Sequence, residues 1–286
     1  MSVHSMAWKG HMKHLGKFLQ EIETSGFTLN LKKCTFALPE VKFVGHFIGS
    51  GQRLADPSKI KTMLDMTIPT DKRQVRQVLG FFSYFRDYIP NFSHIAEPLT
   101  NLTRKGNPDK VSWGPSEHSA FDQMKASLAQ AANTPLAIMD YNKPYNLYED
   151  ASNYAAACVL TQNVGDQLDR PVAFASVKLS PTQRNWSTVE KEAFASIWAL
   201  RKYHRWLFRS KVTVYSDHNP LTFLTQASSQ SSKLMRWALA LQEFDVSFKF
   251  KEGRRNTAAD CLSRVGRTIP SQQSRLSTFV LRFLLS

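Results

Sequence analysis

Asp150, Glu192, Asp217 and Asp260 are four acidic residues whose neighbours place each at the edge of a strand or a helix. Tyr145 to Asp150 alternates and is rich in aromatic residues, which reads as a strand ending on an acid, after which Ala151 and Ser152 begin a turn. Lys211 to Asp217 is a second such run, β-branched and aromatic, closed by His218-Asn219-Pro220. Carboxylate oxygens are the donors that Mg²⁺ or Mn²⁺ prefers. Two such ions held by three or four acids can activate a water and stabilise a leaving oxygen, the chemistry of phosphodiester cleavage.

Several elements must position these acids. Ser187-Thr188 caps a helix expected to run to Arg205, with Val189, Ala193, Ile197, Leu200 and Leu207 at helical spacing. Strand, helix and strand in that order imply a parallel pair, and ligands of such sheets lie outside the carboxyl ends of the strands, so Asp150 and Asp217 face one crevice. Glu192 shares a helix face with the small residues Ser196 and Ala199 and is the candidate ligand, whereas Glu190 reads as a solvated first-turn acid. Glu149 alternates with Asp150 and is expected on the opposite face of the strand, without a direct metal role. Asp260 lies at the edge of a further short element. The His218 imidazole would suit proton movement beside a metal, but it reads first as a cap or hydrogen-bonding residue after the strand.

Elsewhere, Lys9 to Ser25 reads as an amphipathic helix stopped by Gly26, and Phe27 to Ile48 as two short strands around Leu38-Pro39-Glu40. Asp56-Pro57-Ser58 opens a helix through Met66, and Asp71 caps a longer one to Tyr88, within which Phe81, Phe82, Tyr84 and Phe85 read as core. Helices follow around Ile95 to Leu102 and Ser116 to Ala131, with Arg104 to Asp109 as a linker. Further strands are expected over Ala155 to Gln162, Val172 to Ser176 and Asp245 to Lys251.

The 286 residues carry a formal net charge of +14, which favours a polyanionic partner bound through salt-sensitive phosphate contacts. Candidate contacts are Lys32, Lys33, Arg73, Arg76, Arg86, Arg104, Lys105, Lys233, Arg236, Arg254 and Arg255. No membrane association is expected, because the apolar stretch from Phe279 to Leu285 is far shorter than the roughly 20 residues of a span. Three scattered cysteines, Cys34, Cys158 and Cys261, build no zinc module and read as reduced thiols of an intracellular protein, cytoplasmic or nuclear.

Four segments together carry a family resemblance: Tyr148-Glu149-Asp150-Ala151-Ser152, Val189-Glu190-Lys191-Glu192-Ala193, Tyr215-Ser216-Asp217-His218 and Ala258-Ala259-Asp260-Cys261-Leu262-Ser263-Arg264. They resemble the RNase H domain of reverse transcriptases from LTR retrotransposons of the Ty3/gypsy class. Upstream, Leu29 to Phe36, Phe43-Val44-Gly45-His46 and Val78 to Arg86 match the same polyprotein in the same order. The resemblance implies an α/β fold: an RNase H-like mixed sheet with flanking helices at 135–264, preceded by a truncated palm edge at 1–55 and a mainly helical thumb and connection at 56–134. The tail at 265–286 is unmatched.

By that resemblance Asp150, Glu192, Asp217 and Asp260 ligate the Mg²⁺ (or Mn²⁺) ions of a ribonuclease that cuts the RNA strand of RNA–DNA hybrids. Phe43, Val44, Gly45 and His46 look like a primer grip, and Lys72 to Tyr88, with Arg73 and Arg76, like the thumb helix on the template–primer minor groove. Arg236 joins these as a contact to the nucleic acid. The chain departs from the family at Glu149, where Thr is usual, at Asn153-Tyr154-Ala155, where a small turn is usual and a bulky Tyr154 narrows the site, and at Cys261, where Ala is usual. The family's polymerase centre is a Tyr-x-Asp-Asp hairpin, and no Asp-Asp pair occurs in the sequence. The chain is therefore expected to begin just after that centre and to make no DNA by itself. Two other readings stand beside the ribonuclease: a non-catalytic nucleic-acid-binding remnant of the same element, and an untranslated or unstable relic with no activity.

Overall fold

The computed structural model describes residues 3, 5, 7–163, 169–217 and 232–251. Asp260, His218, Arg254, Arg255, Cys261 and the tail lie outside the described residues. The chain divides into two compact units, residues 1–41 and 42–286.

The first unit holds helix α1 (Trp8–Thr24). It ends where the sequence suggests: Gly26 takes φ +71°, and the N–H groups of Gly26 and Phe27 close on the carbonyls of Glu23 and Ile22. That pattern satisfies carbonyls a helix end would otherwise leave orphaned. The first strand expected after Phe27 does not form. The Asn30 side chain instead accepts the Lys32 N–H at 3.1 Å and starts a single 3₁₀ turn, Leu31–Lys33, a local bond that outcompetes an extended backbone. The strand that does form, β1 (Glu40–Phe43), crosses into the second unit.

Val44 and Gly45 then turn the chain with φ of +44° and +73°, a two-residue hairpin connection of the kind that suits strand twist, although Val44 is β-branched and disfavours that region. Strand β2 (His46–Gly49) pairs antiparallel with β3 (Gln52–Ala55), and β3 pairs with β4 (Leu136–Ala137), so the small sheet recruits residues from both sides of the helices. Between them come α2 (Pro57–Leu64), α3 (Lys72–Tyr84), α4 (Phe92–Ile95), α5 (Glu97–Leu102) and α6 (Pro115–Ala131). Asp56 and Asp71 cap α2 and α3 through the N–H groups of Ser58 and Gln74 at 2.9 and 2.8 Å. The aromatic run on α3 divides in two. Phe82 and Phe85 are buried, whereas Phe81 and Tyr84 are 52 % and 49 % exposed, because a helix brings only every third or fourth side chain onto its packed face.

The larger sheet has the order β7-β6-β5-β8-β9. Its strands are β5 (Tyr145–Ala151), β6 (Ala155–Asn163), β7 (Asp169–Lys178), β8 (Lys211–Ser216) and β9 (Asp245–Phe250). Strands β5, β6 and β7 form an antiparallel meander, and β8 and β9 add in parallel, with Tyr145 opposite Val212 and Tyr148 opposite Tyr215. The crossover from β7 to β8 carries α7 (Pro181–Arg184), α8 (Thr188–Lys202) and α9 (His204–Leu207), and α10 (Ser232–Leu241) precedes β9.

One sheet face packs Leu147, Leu160 and Val214 against Ala199 and Leu200 of α8. The other face contributes Ala157, Val159 and Phe174 to a core shared with Phe82, Phe121, Met124 and Leu128 of the helices. Polar ties cross the same junction. Arg53 donates to the Val172 carbonyl at 3.0 Å, and the Ser93 N–H to Ser176 Oγ at 3.0 Å.

Candidate metal centre

Parallel pairing of β5 with β8 brings their carboxyl ends side by side, and with them Asp150, the last residue but one of β5, and Asp217, the residue after β8. Helix α8 supplies the third acid. Its start is fixed by reciprocal bonds between Ser187 and Glu190, at 3.3 and 3.0 Å, which place Glu192 in the first helical turns against the sheet. Glu190 therefore works as a cap, and it also pairs with Lys233 at 2.8 Å, so it is more engaged than a solvated surface acid.

Asp150, Glu192 and Asp217 each present an oxygen within 4.8 Å of the others. Asp150 and Glu192 are 2 % and 3 % exposed. Burial and the neighbouring carboxylates, Glu149, Asp150 and Asp217, push the Glu192 carboxyl well above the usual range, against a hydrogen bond from the Ala151 backbone N–H. Like charges packed this closely and this dry favour protonation or a cation between them. An all-carboxylate donor set of hard oxygens fits a divalent ion such as Mg²⁺ or Mn²⁺ and not a soft thiophilic metal. Asp260 falls outside the described residues.

Glu149, next to Asp150 on β5, is fully buried and turned toward α8, where Ser196 Oγ donates to it at 2.9 Å and Ser216 makes a second hydrogen bond. Burial raises its carboxyl above the ordinary value, with the charges of Asp150 and Asp217 adding to the effect. Sequence reasoning placed it on the opposite face but missed these partners. The available signal was Ser196, one helical turn beyond Glu192 on the same face.

The turn between β5 and β6 borders the centre. Asn153 Oδ1 accepts from Lys191 Nζ at 2.9 Å, which ties the turn to the residue before Glu192. Tyr154 is 62 % exposed beside it.

The candidate nucleic-acid residues are distributed over the surface. Phe43 and Val44 are exposed, and Gly45 and His46 are partly buried or close-packed against α3: the Tyr84 hydroxyl donates to the Val44 carbonyl, a Cβ on Gly45 would meet the Tyr84 ring at 3.4 Å, and His46 stacks on Tyr84 and Tyr88 with ring centroids at 5.4 and 5.7 Å. Burial, then Arg53, lower the His46 pKa, against the charges of Asp87 and Asp56. Arg73 and Arg76 lie on the exposed side of α3, along with Gly80. Arg236 is exposed on α10, its Nε bonded to the Ser232 carbonyl at 3.2 Å, while Lys233 is occupied by Glu190 and by the Trp186 ring 3.9 Å away.

Residues 140–244 match the model of an RNase H-like domain found in reverse transcriptase. Over 96 % of its length the chain is 33 % identical to the retrovirus-related Pol polyprotein from transposon opus of Drosophila melanogaster, and over 92 % it is 31 % identical to the transposon Tf2-3 polyprotein of Schizosaccharomyces pombe. It spans 28 % and 20 % of those polyproteins. Among solved structures, foamy viral protease-reverse transcriptase in complex with RNA/DNA hybrid superposes with a TM-score of 0.77, at 22 % identity, over 93 % of this chain and 36 % of that one. The same viral protein in complex with dsDNA gives 0.73 over 87 % and 52 %. Among the described residues no helix is long and apolar enough to cross a membrane.

Proposed function

Because the chain carries the RNase H-like domain of retrotransposon reverse transcriptases, we propose that it hydrolyses the RNA strand of RNA–DNA hybrids at the Asp150–Glu192–Asp217 centre. The observation that carries the reading is the convergence of three acids from three separate elements within 4.8 Å. Asp260, matched by sequence, would complete the set. A bound pair of Mg²⁺ or Mn²⁺ ions supplies the activated water and the stabilisation of the leaving oxygen. The protein's own part is to hold the acids on two strand ends and a capped helix and to bury Asp150 and Glu192.

Nucleic acid would be held by groove shape and phosphate contact. Hybrid selectivity of that kind comes from a wide minor groove and its 2′-hydroxyls. Gly80 supports a groove-facing role for α3. It sits in mid-helix on the exposed side, where an added Cβ would meet nothing within 4 Å, so no packing among the described residues explains a residue that costs a helix about 0.5–1 kcal/mol relative to Ala. Close approach by an external backbone does explain it, with Arg73, Arg76, Phe81 and Tyr84 on the same helix and the Val44–Gly45 turn beside it. We assign residues 1–55 to a part of the palm, 56–134 to thumb and connection and 135–264 to the nuclease.

The test is cleavage of an end-labelled hybrid by the purified chain with Mg²⁺ or EDTA. We expect Mg²⁺-dependent cutting of the RNA strand alone, lost in Asp217→Asn and in Asp260→Asn. Intact hybrid after incubation with a folded sample rejects the nuclease reading, and retained salt-sensitive binding would then identify a binding remnant.

A further inference from the structure

The turn between β5 and β6 carries a feature that the metal centre does not use. Residue 154 follows Asp150 through the tight connection Ala151-Ser152-Asn153, and the strands it joins hold Asp150 opposite Ala157. The turn therefore lies beside the centre. It is fixed there by bonds on every side of the turn: Ser152 Oγ accepts the Tyr154 N–H at 3.2 Å, the Tyr154 carbonyl accepts the Leu179 N–H at 2.8 Å, and Asn153 is held by Lys191 at 2.9 Å. Turns that need only reverse the chain favour Asn, Asp, Gly and Ser. A tyrosine 62 % exposed gains little from folding at such a place.

Its neighbour gives it a use. Arg184, at the end of α7, lies over the ring with its guanidinium carbon 5.3 Å from the centroid, and its Nε donates to the Leu179 carbonyl at 3.3 Å. Leu179 thus clamps both residues, one through its N–H and one through its carbonyl. Among the described residues the terminal guanidinium nitrogens make no hydrogen bond. An aromatic ring with one face on a cation and most of its surface open, beside a planar donor, matches the sugar–phosphate chemistry of a nucleic-acid strand, since rings take bases or sugars by stacking and guanidinium groups take phosphates.

We propose that Tyr154 and Arg184 form a ledge that holds the strand being cut, the ring packed on a nucleoside next to the scissile position and the guanidinium on an adjacent phosphate. The assignment rests on the nuclease reading above. The bulk at residue 154 then serves to grip the strand and does not obstruct the centre.

Binding of a labelled RNA–DNA hybrid by the full chain in EDTA, together with cleavage kinetics in Mg²⁺, tests the ledge. Tyr154→Ala should weaken binding about tenfold, in the range of one lost stacking contact, and raise KM with little change in kcat. Tyr154→Phe should bind as the parent does, because the ring and not the hydroxyl is used. Arg184→Gln should also weaken binding and reduce the slope of log affinity against log salt by about 0.7–0.9, one phosphate contact, whereas Tyr154→Ala leaves the slope unchanged. Tyr141→Ala, at a ring equally exposed but before the start of β5, is the control.

Parent-like binding by Tyr154→Ala, or an equal loss in Tyr141→Ala, overturns the proposal. If Tyr154→Ala melts early, Arg184→Gln decides through the salt slope, and an unchanged slope overturns it. A parent chain that binds hybrid without cutting it removes the nuclease reading while the binding arms still judge the ledge. A parent chain that does not bind hybrid removes both.

Discussion

At the scale of the residue, Glu149 and Glu192 are acids placed where folding works against their charge. Their carboxyls are raised above the unfolded value near 4.5, so the folded, metal-free state holds protons that the unfolded chain releases. Stability in EDTA should then fall as pH rises from about 4.5 toward neutrality, the sign expected when the native state binds more protons. Glu192→Gln should flatten that slope and raise the melting temperature in EDTA while abolishing cleavage, and Mg²⁺ should restore the parent chain but not the variant. Thermal melts across pH 4–8 check this, and a parent melt in EDTA independent of pH would reject it. Asp56 behaves in the opposite sense. Burial raises its pKa, but hydrogen bonds from Lys42 and Ser58 outweigh that and bring it to about 2. Its contribution is therefore present above about pH 4 and disappears as pH falls toward 2. Asp56→Asn should lose stability relative to the parent near neutral pH, and the difference should close in acid.

At the scale of the element, the strands and helices that carry the acids were legible in the sequence because each has a local marker. Alternation ends at Asp150 and at Asp217, and Ser187 with Glu190 announces the start of α8. The helix stop at Gly26 and the caps at Asp56 and Asp71 were legible for the same reason. What escaped has no local marker. Strand β4 is two residues long and exists because β3 is there to pair with it, and α10 lies in a stretch whose apolar residues face α8 only after the fold is made. The ledge was half legible: a bulky residue in the turn was plain, but its partner Arg184 stands on a separate helix and meets it only through Leu179. On α3, Gly80→Ala should stabilise the helix by about 0.5–1 kcal/mol and yet weaken hybrid binding, an opposition that a purely structural glycine would not produce. Denaturant melts and binding assays on the same variant measure both.

At the scale of the whole molecule, the larger sheet is covered on both faces by different parts of the chain. Ala157, Val159 and Phe174 complete a core whose other members lie on α3 and α6. Sequence boundaries drawn by resemblance cannot show this, because side chains on alternate faces of one strand serve two cores and neither periodicity nor composition says what lies opposite. A fragment trimmed to residues 135–286 should expose that apolar face, bind a hydrophobic dye and melt earlier than the full chain. Dye binding and melting equal to the full chain would show that the face is covered by other means.

The three acids of the centre reach it from distant points along the chain, and the last arrives only when β8 docks beside β5. Helices form in under a microsecond to a few microseconds, but a long-range parallel pair is among the later events of folding. A partly folded chain thus holds no complete set of acids. On the proposed nuclease reading the centre is assembled in one step, when β8 pairs with β5, so a chain halted before that pairing could neither gather the metal ions nor cut a hybrid.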